Sequence, residues 1–129
     1  MSQPSPPPPA APAERPPTVP SARVRLGRLA LEAALAVPGI VRGHPGRMGL
    51  AFTNDGGERL QGVVATALAD GRVGVELHLE AELVPLRPLG DAVRAAVASR
   101  AGSEHPLGPV DVRFEDVSEP GEVATRPSA

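Results

Sequence analysis

The chain has no cysteine, tryptophan, tyrosine or lysine, and its only aromatic residues are Phe52 and Phe114. Without cysteine there are no disulfides and no thiolate metal sites, which excludes a disulfide-stapled secreted scaffold. With so few aromatics, the core must be built from Val, Leu and Ala. That implies a small stability margin, which self-association can supplement. All 13 basic residues are arginine, a bias that reflects GC-rich coding and carries no functional meaning. Long apolar runs are also missing. The longest, Leu29 to Val41, is broken by Glu32 and Pro38 and is too short to cross a bilayer. The N-terminus has prolines where a signal sequence has an apolar core. A cytoplasmic chain is the expectation.

Proline is abundant, with 17 residues in 129. It is concentrated at the start, so residues 1–21 read as a disordered arm of polyproline II character, a solubilising linker or tether. The spacing of Pro6 and Pro9 also suits a ligand of a Pro-binding domain. Residues 119–129 read as a disordered tail, leaving residues 22–118 as one modest domain. Net charge is −2, unevenly spread. Residues 1–50 carry six Arg against Glu14 and Glu32, and residues 51–129 carry seven Arg against thirteen acids. Such asymmetry favours head-to-tail association or an acidic partner near the first helix. Scattered surface charges screened within about 8 Å account for it as well.

The clearest local signal is a hairpin between Val63 and Leu83. Val73, Val75, Leu77, Leu79, Ala81 and Leu83 alternate with polar residues and Gly74, and Asp70-Gly71 precedes them. A type I′ turn at Asp70-Gly71 pairs residue 68 with residue 73. Val64, Thr66 and Leu68 then share the core face with Val73, Val75 and Leu77. The other face carries Val63, Ala65 and Ala67 beside Gly74, Glu76 and His78, a smooth patch suited to a partner.

Helical spacing of Leu26, Leu29, Ala30, Ala33 and Val37 predicts a first helix that Pro38-Gly39 ends. Ser21 can cap it early, or Ala22 to Leu26 can form a short extra strand. Leu31 and Leu35 lie off the apolar stripe, so either another surface of the domain covers them or they face a partner. Ile40-Val41 is expected to pair briefly, Met48 to Thr53 to form a short edge strand, and Asn54 to Gly57 to turn. A second helix runs from about Pro88 to Arg100, with Gly102 beyond its end. Val110, Val112 and Phe114 alternate with Asp111, Arg113 and Glu115 in a third strand. The prediction is an α+β fold of order α-β-β-α-β, with both helices on one face of a small sheet.

Catalytic signals are sparse. His44, His78 and His105 show no metal-ligand spacing. His78, between Glu76 and Glu80, reads as part of a solvated polar row, with a local pH response as the sharper alternative. No serine sits in a nucleophile-elbow context, and no phosphate-cradling or dinucleotide loop is present. Gly43-His44-Pro45-Gly46 matches the Gly-x-x-Gly loop of KH domains, which makes a KH-like nucleic-acid-binding module the alternative reading.

The ordered set of motifs resembles the alkaline shock protein 23 family of bacterial envelope stress response proteins. Leu29-Ala30, Ala33-Ala34 and Val37-Pro38-Gly39-Ile40 look like that family's first helix and turn. Val73 to Leu83, the helix through Val93 and Val97, and Val110-Asp111-Val112 ending in Asp116-Val117 follow in the family's order. Val84-Pro85 stands where members carry an aromatic-Gly pair, and Arg42 to Leu60 has no counterpart in the usual pattern. The resemblance implies a non-enzymatic cytoplasmic protein without cofactor or small-molecule substrate. It implies self-association, or docking on membrane-anchored relatives, and carries over no catalytic residue. Leu31, Leu35, Val63, Ala65, Ala67 and Gly74 are the candidate partner surface.

Overall fold

In the computed structural model, residues 3–4 and 21–119 are described. The expectations for the Pro-rich arm and the C-terminal tail fall almost wholly outside them. Helix α1 spans Ala22–Leu35, and the Ser21 side chain accepts from the Val24 amide at its start. No extra N-terminal strand forms, because this cap places residues 22–25 in the first helical turn. Strand β1, Ile40–Gly43, follows the turn at Pro38-Gly39. Strands β2, Phe52–Asp55, and β3, Glu58–Gln61, form a two-stranded hairpin of their own. Strand β4, Val63–Ala67, leads into the long strand β5, Val73–Glu82. Helix α2 is Leu86–Ala101, with Pro88 in its first turn, where a missing amide costs little. Strand β6, Leu107–Ser118, ends the order. The fold is α+β, with a mostly antiparallel set of strands.

Strand β5 organises the main sheet. Along one border it pairs antiparallel with β4 at residues 73–77 and then with β1 at residues 79–81. Along the other it pairs parallel with β6, which α2 makes possible as the crossover. Both helices pack on one face. Leu26, Ala30 and Ala33 of α1, Val93 and Val97 of α2, and Val73, Val75, Leu77 and Leu79 of β5 form the buried core.

The hairpin register differs from the sequence expectation by one residue. Ala67 lies opposite Val73 and Ala65 opposite Val75, and the Leu68 amide donates to the Arg72 carbonyl. No residue other than glycine has positive φ among the described residues, so Asp70 takes no type I′ conformation. A three-residue loop ends instead in Gly71 at φ +87°. The extra loop residue turns every β4 side chain to the opposite face. Val63 and Ala65 are therefore core residues, and Val64 and Thr66 face outward. The type I′ pattern occurs elsewhere, at Gly56-Gly57, where both φ angles are positive and Asp55 pairs with Glu58. The edge strand expected over Met48 to Thr53 begins only at Phe52.

Candidate functional site

Period-2 alternation sends Glu76, His78 and Glu80 of β5 to the face away from the helices, beside Asp111, Arg113 and Glu115 of β6. The segment from His44 to Ala51 folds across this face. The His44 amide donates to His78 O at 2.8 Å, the Ala51 amide to Pro45 O at 3.0 Å, and the Gly62 amide to Ala51 O at 2.7 Å. Residue 78 marks the point where the partner of β5 changes from β4 to β1, because its own amide donates to Gly62 O at 2.8 Å. Gly43 and Gly62 meet there. A Cβ on Gly62 would lie 2.5 Å from Gly43 Cα.

Covered in this way, His78 is only 9% exposed. Its Nδ1 lies 2.7 Å from Glu115 Oε1 and its Nε2 2.9 Å from Glu76 Oε1. Ionised carboxylates only accept, so the doubly protonated ring satisfies both contacts. The hydrogen bond from His78 is the main cause holding the Glu115 carboxyl below its usual range. Arg113 lies 3.2 Å from Glu76 and 3.0 Å from Asp111, and the Asp111 hydrogen bond leads in raising its pKa. Next to this network lies an open cleft of about 660 Å³, lined by loop residues Arg47, Met48 and Leu50 and by the same charged groups. Met48 is 82% exposed and Leu50 70%.

Among the described residues the lining holds no hydroxyl or thiol nucleophile, and its histidine has a carboxylate on each nitrogen. Among the described residues no three His, Asp or Glu side chains are placed to hold a metal ion. The Gly43 to Gly46 tetrapeptide is not laid out as an open clamp. The Gly46 amide donates to His44 Nδ1 at 3.0 Å, and Gly43 is packed against the Gln61 backbone.

The residues singled out from the sequence as a partner surface are dispersed. Val63 and Ala65 lie in the core, at 0% and 5% exposure, which corrects their assignment to an outer patch. Ala67 is exposed, and Gly74 sits under Leu68, whose Cδ2 is 3.6 Å from the glycine's Cβ position. Leu31 packs half-buried against the core, whereas Leu35 is 43% exposed. His78 is not part of a solvated row. Glu115, Arg113 and the loop around Met48 had no place among the sequence candidates. The signal available was the Asp111-Arg113-Glu115 alternation, which needs only β6 beside β5 to meet His78. Comparison with known proteins adds no relative: no family model, no curated protein and no solved structure matches the chain.

Proposed function

We propose that the chain is a non-enzymatic interaction module of the alkaline shock protein 23 type, acting as an envelope stress adaptor by self-association and by contact with related membrane-anchored proteins. The observation that carries this reading is the loop over the outer sheet face. It presents Met48 and Leu50 to solvent beside a cleft whose charged groups are largely partnered with one another. Exposed apolar side chains rimmed by satisfied polar groups suit a protein contact better than they suit turnover. The motif order that resembles the family supports the same reading, as do the Val/Leu/Ala core and the absence of a free nucleophile from the cleft lining.

Cross-linking capture in the native cell tests it. Met48→Glu with Leu50→Glu should abolish the partner bands seen with the wild-type chain, and this double variant should fold normally because both side chains are exposed. Unchanged capture by the double variant overturns the assignment of this loop. Salt-sensitive retardation of RNA or single-stranded DNA by the wild-type chain would favour the KH-like alternative.

A further inference from the structure

Strand β6 has 12 residues and forms one border of the main sheet, pairing only with β5 among the described residues. The bonds around β5 reveal which of its backbone groups face outward. Odd-numbered residues donate toward the β6 border, as Val73 does to the O of Pro106, just before β6, and Leu83, just after β5, to Ser118 O. Even-numbered residues donate to the opposite border, as His78 does to Gly62 O and Glu82 to Gly39 O. Leu77 lies level with Val112, so in a parallel ladder it bonds the flanking Asp111 and Arg113, and Val112 turns its N–H and C=O outward. Val110 and Phe114 share that orientation. Arg94 Nε, reaching to 3.4 Å from Val110 O, touches this outward row.

Register shifts on both sides leave Val110 to Phe114 as the regular stretch. Its midpoint is Val112. Natural edges are blunted by charged side chains, proline or bulges. This stretch has no proline or bulge inside it, its two charges, Asp111 and Arg113, are of opposite sign, and Pro109 stands just before it.

We propose that β6 pairs antiparallel with β6 of a second copy of this chain about a twofold axis at Val112, a partner assignment that rests on reading the chain as a self-associating module. A twofold contact must be complementary to itself. Centred on Val112, the pairing sets Asp111 against the partner's Arg113, and Arg113 against the partner's Asp111. Val112 meets the partner's Val112, and Val110 meets the partner's Phe114, a β-branched residue against an aromatic. All three outward-facing residues then fall at hydrogen-bonded positions. Moving the axis to Arg113 would oppose two arginines and set Asp111 against the partner's Glu115. Moving it to Phe114 would set Val112 against the partner's Asp116 and cross the bulge. The charge pattern therefore selects one register, and the regular stretch is centred on the same residue.

Sedimentation of the full chain tests the pairing. Wild type should be a dimer. Asp111→Arg alone and Arg113→Asp alone should each sediment as monomers, because each repeats one sign along the strand. Mixed in equal amounts, they should associate, since the two variants present opposite charges at both positions. Val112→Pro removes an outward amide while sparing the β5 ladder, and should give a folded monomer by circular dichroism. A wild-type monomer at all concentrations overturns the proposal, as do dimers of either charge variant or a mixture that stays monomeric. Wild-type association indifferent to all three substitutions removes this interface and leaves the module reading standing. Loss of capture by the Met48/Leu50 variant bears on that reading alone.

Discussion

Two glycines show how differently the same substitution can act. Gly62 and Gly71 both have positive φ, at +97° and +87°. Around Gly71 nothing lies within 4 Å of a Cβ, so Gly71→Ala should cost only the left-handed backbone penalty, about 1 kcal/mol. At Gly62 the added carbon would also lie 2.5 Å from Gly43 Cα and 2.8 Å from His78 O, all backbone atoms. Gly62→Ala should therefore destabilise by several-fold more, about 3 kcal/mol or beyond, because the junction of β1, β4 and β5 must open. Urea denaturation of both variants decides it, and equal midpoints would show that the junction is not close-packed in solution.

Glu115 is the second residue with a defined consequence. Its folded carboxyl is held below the ordinary value of 4.5, chiefly by the hydrogen bond from His78. A depressed acid contributes stability that is full above the unfolded value and is lost as pH falls through the folded one. Glu115→Gln should therefore melt below wild type at neutral pH, and the gap should close as the solution is acidified below the carboxylate range. A gap that stays constant down to acid pH would show that the His78 contact contributes nothing. Glu76, Arg113, His44 and Arg47 face the same cluster or bias it, so the titration is best followed at Glu115 itself by NMR.

At the scale of elements, the hairpin register has a direct test. Ala65 is 5% exposed and packs near Gly27 of α1, whereas Thr66 is exposed on the opposite face. Ala65→Asp should unfold the domain or cost about 3 kcal/mol, through a buried unpaired charge. Thr66→Asp should stay within about 0.5 kcal/mol of wild type. The sequence pattern alone argues for the reverse, because Asp-Gly suits both a two-residue turn and the end of a three-residue loop. Which one forms depends on whether Leu68 pairs with Arg72, and no local propensity decides that.

Other elements were legible to different depths. Leu26, Ala30 and Ala33 mark the buried stripe of α1 through their helical spacing, and Val93 and Val97 do so for α2. Ile40 pairs as its pattern suggests. The β2–β3 hairpin is obscure because its strands are four residues each and polar, held by Thr53 Oγ1 to Val63 O and by Arg28 between Asp55 and Glu58. The parallel partnership of β5 and β6 is invisible to local periodicity, since it joins segments separated by a whole helix. The site stayed hidden for the same reason. Glu76 and His78 stand in an evident alternating row, but Glu115 reaches His78 only once that long-range register is set.

Across the whole molecule, the two candidate contact surfaces lie apart in kind. One is a loop with exposed apolar side chains and the other is a backbone edge with alternating charge. The proposed β6 pairing uses backbone groups rather than the exposed Met48 and Leu50 side chains, although Arg113 and Phe114 of β6 also line the cleft beside them. The proposed dimer also bears on stability, because this core holds no cysteine and only Phe114 among its aromatics. Binding of a second folded chain stabilises the native state by mass action. Each tenfold rise in concentration adds about 1.4 kcal/mol per mole of dimer. For a domain of this size that raises the melting temperature by a few degrees. Calorimetry over a hundredfold concentration range should show this climb for wild type. Asp111→Arg should melt at one temperature throughout, near the wild-type value at the dilute end. A wild-type melting point independent of concentration would mean that the edge of β6 adds nothing to the folded state. A climb shared equally by Asp111→Arg would place the stabilising contact on another surface.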